Sequence, residues 1–396
     1  MQREPKSFPV PGGIDADVPR HQGAGGIDDS GGSAVSRMVG PRQVLDILRS
    51  ISIDLRELDL GSSVTRLPSL TAVAFLRDFV ATNKPVVLTS SEAKIWPAVS
   101  LWSNPEYLMQ KAGNARVTVA VTPDGRADCP RWCNSMHMGT AVPCFALPYE
   151  YETTLSTFLH LLKCANEDKN QSNTLVPYMQ YQNSSLTVQL PVLIGDVPLD
   201  IPWATEAFGS APEAVNIWIG GSRSVTSWHR DHYENIYVVI TGSKTFRMRP
   251  PADAYAMKLR KFSVARWQRP PNDSQSDPPT SLSLSILDHE SGEESGGEIV
   301  VWSSIMPSKN DLDDDREVQE AYEVTGMHRV PPPLEVTVQA GEMLYLPSGW
   351  WHEVHHEENY VVAVNYWYDM KFDLKYAYAK GIEALAVAIG LNEAID

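Results

Sequence analysis

The chain has 396 residues, of which 43% are hydrophobic, so it can bury a sizeable core in one large β domain or in two ordinary domains. Its formal net charge of -16 at pH 7 opposes binding to nucleic acid or anionic membrane and favours a basic protein or peptide partner. No apolar run approaches the roughly 18 to 20 residues that cross a bilayer, and the N-terminus lacks the pattern of a secretory signal. We therefore expect a cytoplasmic protein, with the nucleus as a second location, and neither a membrane nor a nucleic-acid partner.

The first 175 residues fall into two parts. Residues 1–40 are rich in Gly, Pro, Ser and Asp and carry almost no apolar pattern, which predicts a disordered N-terminal arm. Residues 41–175 predict a mixed α/β segment that packs on the domain after it. Its apolar spacing predicts helices after Pro41, over Leu70 to Phe79, over Pro105 to Lys111 and over Tyr151 to Lys163, and strands at Val86 to Leu88 and Val117 to Val121.

Strand signals dominate residues 176–373. Short runs of β-branched and aromatic residues alternate with turn residues, and Thr241-Gly242-Ser243 predicts a hairpin turn. Many short strands with turns are typical of a barrel or jelly roll, so the fold class is predicted to be mainly β with flanking helices. The predicted strands are Val176 to Tyr181, Val215 to Ile219, Val225 to His229, Ile236 to Ile240, Thr245 to Met248, Met343 to Leu346, Trp351 to Val354 and Tyr360 to Tyr368.

Two segments of different composition interrupt and follow this strand-rich region. Residues from about 264 to 330 are rich in Pro, Ser and acidic residues, which predicts an inserted surface loop. Residues 374–396 carry apolar side chains at helical spacing, which predicts an amphipathic C-terminal helix. That helix would pack either on the core or on a second subunit, so a homodimer is one expectation.

The four cysteines are too few and too unevenly spaced to predict a disulfide framework in a chain of this length. Cys129 and Cys133 have the spacing of half a zinc site, but no second cysteine or histidine pair follows them at matching distance. We expect free thiols.

Three residues form a candidate metal site. His229 and Asp231 are two apart in a β-like run, where such side chains face the same way and would point into one cavity. His352, after Pro347-Ser348-Gly349, is the candidate for the third ligand. Two histidines and one carboxylate are the facial triad of non-haem Fe(II) oxygenases, which leaves iron positions open for a cosubstrate and oxygen. A hydrogen-bonded core histidine is the alternative for His229.

A candidate site for a dicarboxylate lies near these residues in the sequence. Lys244 lies on the far side of the predicted hairpin, and its ammonium could point back into the barrel to pair with a carboxylate. The hydroxyl of Thr226 and the phenol of Tyr178 could donate to the same carboxylate. An ordinary turn lysine and an ordinary strand threonine are the alternatives.

The residues Thr226, His229, Asp231, Asn235 and Lys244 stand together in the register of the small, cytosolic hydroxylases among the JmjC oxygenases. The resemblance extends over roughly residues 44–391. It departs from that family in a longer insertion at about 264–330, in residues 1–40, which have no counterpart in the family pattern, and in the sequence Ser-Gly-Trp-Trp before His352. Four further segments carry the resemblance: Thr122-Pro123-Asp124-Gly125, Asp231-His232-Tyr233-Glu234-Asn235, Gly341-Glu342-Met343-Leu344-Tyr345-Leu346-Pro347 and Asn365-Tyr366-Trp367-Tyr368-Asp369-Met370.

This resemblance implies a double-stranded β-helix, a cupin-like jelly-roll barrel with helices outside. It implies an Fe(II)- and 2-oxoglutarate-dependent dioxygenase that consumes O2 and hydroxylates a lysine of a protein substrate, namely a developmentally regulated GTP-binding protein. The residue roles that it implies are iron binding by His229, Asp231 and His352, binding of the distal carboxylate of 2-oxoglutarate by Lys244, Thr226 and Tyr178, and lining of the pocket by Asn235, Asn365 and Trp367.

Three other functions remain open from the sequence. His352-Glu353-Val354-His355-His356 satisfies the zinc-peptidase pattern H-E-x-x-H, so one alternative is an endopeptidase that acts on histone tails or other basic peptides. This pattern requires a helix, whereas the flanking residues predict a strand and a loop containing His355 and His356. Histone-lysine demethylation would use the same cofactors, although the sequence lacks a zinc-binding cysteine cluster of the kind that chromatin readers carry. A non-catalytic barrel that binds a ligand is the third alternative.

Overall fold

The structure is a computed structural model that describes residues 39–134, 141–167, 174–270, 279–286, 298–306 and 330–394. The predicted N-terminal arm lies outside the described residues, except for Val39 and Gly40. Within the described part of the chain, no helix is long and apolar enough to cross a membrane.

The first part of the chain contains most of the helices. Asn104 begins one of them by accepting a hydrogen bond from the backbone of Glu106, with Pro105 at the first helical position. The helices are α1 (Pro41–Leu55, continued by a π turn over Arg56–Leu60), α2 (Ala72–Phe75, continued over Leu76–Val80), α3 (Pro97–Leu101), α4 (Pro105–Ala112), α5 (Leu155–Glu167), α6 (Ser185–Gln189) and α7 (Pro202–Phe208), with 3-10 turns at Glu92–Ile95 and Pro191–Leu193.

The strands of this part belong to four different sheets. β3, β7 and β8 form a small sheet of their own, in which β3 is the central strand. These strands are β1 (Thr65–Leu67), β2 (Val86–Leu88), β3 (Arg116–Thr122), β4 (Arg126–Ala127), β5 (Cys129–Asn134), β6 (Ala141–Leu147), β7 (Tyr149–Thr154) and β8 (Val176–Tyr178).

Eight later strands build a jelly roll. They are β9 (Ala214–Gly220), β10 (Val225–His229), β11 (Tyr233–Thr241), β12 (Ser243–Arg249), β16 (Leu334–Gln339), β17 (Met343–Leu346), β18 (Trp351–His356) and β19 (Val361–Asp369), while β13 (Leu259–Gln268), β14 (Ser283–Ile286) and β15 (Ile299–Ser303) stand between them in sequence. One sheet has the order β17-β11-β19-β9 and the other β16-β12-β18-β10, with antiparallel neighbours throughout. β1 and β2 extend the first sheet beside β17, and β4 extends the second beside β10. The predicted jelly-roll fold is confirmed.

Alternate residues of β11 show why the sequence of this strand is almost continuously apolar. Ile236 and Val238 pack in the core cluster that includes the N-terminal helices, whereas Tyr237 and Val239 pack in the cluster between the two sheets. Because both faces of the strand are covered, both sets of side chains must be apolar or paired. The helices before the barrel therefore form the outer layer of this sheet.

The chain between β11 and β12 does not form the predicted hairpin. The two strands lie in different sheets, and Gly242 carries the chain from one to the other with a φ of +73°. A Cβ at this glycine would lie 3.0 Å from the carbonyl oxygen of Tyr360, so glycine is needed both for conformation and for space. The crossover still brings Lys244 to the inner side of the second sheet.

The predicted insertion is more than a surface loop. β13 pairs with β6, β14 and β15 in a separate sheet, so strands occupy part of residues 264–330. The prediction of a loop is wrong for the described parts, because β14 and β15 both pair with β13. Residues 271–278, 287–297 and 307–329 lie outside the described residues.

The last helix, α8 (Leu374–Ala388), falls within the range predicted from the sequence. Asp373 caps it by accepting a hydrogen bond from the backbone of Lys375. Ile382 and Ala386 on this helix are buried in a cluster with Leu45 and Leu48 of α1. The face that carries Ile382 and Ala386 therefore packs on the same chain.

Candidate metal and cosubstrate site

His229 and His352 meet because their strands are paired. They stand directly opposite each other in the antiparallel ladder of β10 and β18, where opposed side chains share one face of the sheet. A bulge between Thr226 and His229 inserts one extra residue on β10 and sets this register. The centroids of the two imidazole rings lie 4.1 Å apart.

Both histidines are oriented by backbone carbonyls two residues before them. Nδ1 of His229 lies 2.8 Å from the carbonyl oxygen of Ser227, and Nδ1 of His352 lies 3.0 Å from that of Trp350. A proton on each Nδ1 leaves the lone pair of each Nε2 free for a metal. Burial and, to a smaller extent, the neighbouring His229 lower the pKa of His352 to about 4, so the ring is neutral at physiological pH.

Asp231 completes the group from the loop after β10. One oxygen of its carboxylate lies 3.9 Å from Nε2 of His229 and 3.7 Å from Nε2 of His352. These three residues form the one group of potential metal ligands found among the described residues, with ligand atoms within 4.8 Å of one another. The structure thus brings the three predicted ligands together, but Asp231 lies beyond the end of the strand on which it was predicted.

Lys244 lies at the inner wall of the same cavity, which has a volume of about 330 Å³ and lies between the two sheets. Its side chain is fully buried, and its ammonium donates hydrogen bonds to the phenols of Tyr237 at 2.6 Å and Tyr178 at 3.5 Å. Burial lowers its pKa from 10.5 to about 7. Among the described residues no carboxylate pairs with this ammonium, so the cavity has a cationic end that lacks an anion.

The other predicted cosubstrate residues also line this cavity. Thr226 and Tyr178 lie close enough that a hydrogen bond from Thr226 opposes the rise that burial causes in the pKa of Tyr178. Asn365 donates to the side-chain oxygen of Asn235 at 3.2 Å. Trp367 stacks on Tyr233 with a centroid separation of 4.8 Å. All six predicted side chains therefore reach one space.

Of the cavity residues that the sequence does not predict, four bear on the chemistry of the site. Tyr237 makes the shortest contact to Lys244, and its position two residues after Asn235 on an inward-facing strand could have indicated it. Ser227, Asp128 and Trp302 line the cavity near His229. Asp128 and Trp302 come from distant segments, so local spacing carries no signal for them, whereas Ser227 stands between Thr226 and His229 in β10.

Ser227 joins the metal site to the segment that precedes β5. Its carbonyl accepts the hydrogen of His229, and its hydroxyl donates a short hydrogen bond to the carbonyl of Asp128. Burial and, to a smaller extent, the nearby Glu150 carboxylate raise the pKa of the Asp128 carboxyl to about 6. The ring of Trp302 lies parallel to that of His229, with centroids 6.4 Å apart, on the side of the cavity formed by β15.

The H-E-x-x-H pattern lies on a strand, β18, and does not form a zinc-peptidase site. Glu353 faces away from His352 and is buried between Arg247 at 3.2 Å and His355 at 2.6 Å. His356 is buried against Tyr178, with ring centroids 5.1 Å apart. The prediction that His355 and His356 are loop residues is wrong, because strand pairing with β12 continues through His356. The prediction that the segment is not helical is confirmed.

The predicted free cysteines are confirmed. All four thiols are free, and three of them are buried. No group of metal ligands within the described ranges includes any of them.

The two-sheet jelly roll with two histidines and one aspartate at its mouth defines a metal-binding protein of the cupin class. Comparison with protein families agrees, since the profile described as "Cupin-like domain" matches residues 72–374. This chain belongs to that family. The match begins at α2 and ends at the start of α8.

Relatives place the chain within the small JmjC proteins. It is 35% identical over 336 residues to "Lysine-specific demethylase JMJ32" of Arabidopsis thaliana, covering 84% of this chain and 89% of that protein. It is 35% identical over 346 residues to "Bifunctional peptidase and (3S)-lysyl hydroxylase JMJD7" of Homo sapiens, covering 87% and 96%. It is 32% identical to "JmjC domain-containing protein E" of Dictyostelium discoideum, covering 84% and 91%.

The chain is therefore a small JmjC protein, and it belongs to the JmjC family of Fe(II)- and 2-oxoglutarate-dependent oxygenases. This confirms the family that the sequence resembles. It also confirms the class of cofactors expected from it, which are Fe(II), 2-oxoglutarate and O2.

Proposed function

We propose that the chain hydroxylates a lysine of a protein substrate, with Fe(II) held by His229, Asp231 and His352 and with 2-oxoglutarate held by Lys244. The observation that carries the proposal is the presence of this triad and of a buried ammonium without a carboxylate partner among the described residues in one cavity. The proposed products of the cosubstrate are succinate and CO2.

The donor set suits ferrous iron. Two neutral imidazoles and one carboxylate leave positions open on an octahedral ion, whereas closed zinc sites use four protein ligands. The carbonyls of Ser227 and Trp350 hold the two rings so that each Nε2 faces Asp231. The protein thus presents three ligands from one side and leaves the cavity side open.

The charge at the inner end of the cavity suits a dicarboxylate. The ammonium of Lys244 would pair with the distal carboxylate of 2-oxoglutarate, and the hydroxyls of Tyr178, Tyr237 and Thr226 would donate hydrogen bonds around it. Asn235, Asn365 and Trp367 would line the remaining wall. When bound, iron and 2-oxoglutarate supply the oxidative decarboxylation that activates oxygen for attack on a C–H bond. The chain's own residues place the target carbon at the open side of the metal and exclude water.

The choice of lysyl hydroxylation rests on the human relative, whose name includes (3S)-lysyl hydroxylase and of which this chain covers 96%. Following the sequence resemblance, we propose a developmentally regulated GTP-binding protein as the substrate. Lysine demethylation is the second candidate, because a relative of equal identity is named for it. Both reactions oxidise a carbon of a lysine side chain and need the same cofactors.

Peptidase activity at the H-E-x-x-H segment is disfavoured by geometry. A zinc peptidase needs the glutamate next to a metal held by both histidines. Here Glu353 pairs with Arg247 and His355 on the opposite face of β18 from His352. We therefore place no hydrolytic site there.

Mass spectrometry of peptides tests the proposal. Lysine-containing peptides from GTP-binding proteins, and mono-, di- and trimethyl-lysine peptides from histone tails, are incubated with the protein, Fe(II), O2 and 2-oxoglutarate. A gain of one oxygen, with one succinate per product, is the expected result. Formaldehyde release from the methylated peptides would show that the reaction is demethylation and not hydroxylation. Cleavage of peptides without 2-oxoglutarate would overturn the proposal.

The matched variants are Asp231→Ala and Asp54→Ala. The first removes a metal ligand and should abolish product formation, and the second changes an exposed aspartate of α1 and should leave it intact. Product formation by Asp231→Ala at the normal rate would remove the triad from the mechanism.

We also propose that the protein acts in the cytoplasm, with the nucleus as the alternative, and that it forms a homodimer. Fluorescence microscopy of the tagged full chain tests the location. Light scattering of the protein as it elutes from a size-exclusion column tests the oligomeric state. A monomeric mass at micromolar concentration would contradict the dimer.

A further inference from the structure

Two ionisable side chains in the cavity form no ion pair with any other described residue, although the charge of Arg266 acts on Asp128 from a longer distance. One is the ammonium of Lys244, at the inner wall. The other is the carboxylate of Asp128, which accepts a hydrogen bond from the neutral amide of Gln180 at 3.2 Å. No lysine or arginine of the described part of the chain lies within ion-pair distance of Asp128, although its side chain lines the cavity. The cavity therefore has one cationic and one anionic position.

Asp128 is held in place from two sides. It directly follows β4, which runs parallel to β10 with Ala127 opposite Thr226, so Asp128 stands beside Ser227. Its backbone has a φ of 51°, in the left-handed region that few residues other than glycine adopt without cost. Its carbonyl accepts the hydroxyl of Ser227, which fixes this conformation. Because the carbonyl of Ser227 also orients His229, the carboxylate has a defined position relative to the metal site.

A flat aromatic wall lines the same cavity, beside Ser227. Trp302 donates its indole hydrogen to the hydroxyl of Ser227 at 3.4 Å, and its ring is parallel to that of His229. Phe145 supports it from behind at a centroid distance of 4.7 Å. A straight aliphatic chain ending in a cation fits beside such a wall, since its methylenes contact the ring while its charge remains exposed to a carboxylate.

We propose that Asp128 binds the ammonium of the substrate lysine and that Trp302 packs against its methylenes, so that this pair selects a cationic side chain. The inference rests on the proposed function and deepens it, since it assigns the residues that recognise the substrate. In this proposal Asp128 determines substrate specificity, because it binds the ammonium at the end of the carbon chain that reacts. A neutral side chain of the same length would leave the carboxylate without a cationic partner and would bind less well.

A pair of small probes tests this assignment without requiring turnover. The probes are Nα-acetyl-lysine methylamide and its norleucine counterpart, which lacks the amino group. The full chain is loaded with Mn(II) and N-oxalylglycine, and the paramagnetic relaxation of the probes' side-chain protons reports binding next to the metal. The wild-type protein should bind the lysine probe about 10- to 100-fold better than the norleucine probe, as expected for one charge-assisted contact.

Asp128→Asn should remove this preference by weakening the lysine probe to the level of norleucine. Asparagine tolerates a positive φ, so the backbone is kept, and Asp128→Ser serves as a second variant. The matched control is Asp124→Asn, which changes a nearby aspartate that pairs with Arg131 and does not line the cavity. Retained preference in both Asp128 variants, or equal binding of the two probes by the wild-type protein, would overturn the assignment.

Kinetics with a hydroxylated peptide separate this assignment from the proposed function. If such a peptide is found, Asp128→Asn should raise its KM about 10- to 100-fold while the KM for 2-oxoglutarate changes little. If no peptide gains oxygen but the probe preference depends on Asp128, the cation site stands and the proposed reaction falls. If peptides are hydroxylated with the same KM by the variant, the reaction stands and the cation site falls.

Discussion

Replacing Lys244 by methionine should raise the free energy of unfolding of the cosubstrate-free protein. The same replacement should abolish tight binding of the cosubstrate. Burial lowers the pKa of Lys244 from 10.5 to about 7, a difference that corresponds to roughly 5 kcal/mol. The folded pKa lies below the unfolded one, so the unfolded chain binds more protons between about pH 7 and pH 10.5. The free energy of unfolding therefore rises with pH through this window and carries the full penalty below about pH 7.

Methionine has a similar length and no charge, so the variant escapes this penalty. It also loses the hydrogen bonds to Tyr237 and Tyr178, which costs about 1–3 kcal/mol. The net gain expected at pH 6 is therefore about 2–4 kcal/mol. The effect on binding has the opposite sign, because removing one partner of a buried charge pair costs about 3–5 kcal/mol, or a roughly 150- to 5,000-fold weaker affinity for 2-oxoglutarate.

Two measurements check these signs. Thermal unfolding without ligand at pH 6 and pH 9 should show a higher midpoint for Lys244→Met at pH 6 and a smaller difference at pH 9. Calorimetric titration of the Mn(II)-loaded protein with 2-oxoglutarate should show the loss of affinity. Lys163→Met, on the exposed side of α5, is the matched control and should change neither property. Normal 2-oxoglutarate affinity of Lys244→Met would remove this lysine from the site, and a lower midpoint at pH 6 would refute the argument from burial.

Three further predictions follow from the geometry. Binding of 2-oxoglutarate should take up about nine-tenths of a proton at pH 8 and about one-tenth at pH 6, because the dianion raises the pKa of Lys244 from about 7; calorimetry in buffers of different ionisation enthalpy measures this, and no uptake at pH 8 would contradict it. Gly242→Ala should lower the free energy of unfolding in urea by about 1–3 kcal/mol, since its φ is +73°, and an unchanged midpoint would show that the crossover relaxes. Asp253→Ala should cost about 3–5 kcal/mol in the same assay, because it leaves Arg56 and Arg249 without the buried carboxylate that they share, and a loss below about 1 kcal/mol would show that this network contributes little.

The residues of the metal site could be predicted from the sequence because two of them are close together in the chain and all three are of the types that bind iron. His229 and Asp231 are separated by one residue, and His352 follows a turn signal that places it on a strand. Lys244 could also be predicted, because only one strand and one short turn separate it from His229 in the sequence. The turn at Gly242 was recognised, but a turn of this length fits a hairpin and a crossover equally well. Only the sheet pairing separates the two.

The parts that could not be predicted depend on contacts between distant segments. Asp128 and Trp302 line the cavity, but Asp128 precedes the barrel strands in the sequence and Trp302 lies in the insertion after β12. The composition of that insertion resembles a loop. β15 forms there because β13 offers a strand edge to it, which is a tertiary effect. The helix predicted to begin at Tyr151 begins instead at Leu155, because pairing with β3 keeps residues 149–154 extended.

Arg230 stands between two of the metal-site residues, and its guanidinium pairs with Glu383 of α8 and lies 4.8 Å from the ring centre of Trp351. The cupin-like match ends at residue 374, where this helix begins. A fragment trimmed to the matched residues would therefore lose Glu383, and with it the anchor of the backbone between His229 and Asp231. Expression of a shortened chain for crystallography should keep α8, and comparisons among relatives should treat the helix as part of the catalytic unit and not as a dispensable tail.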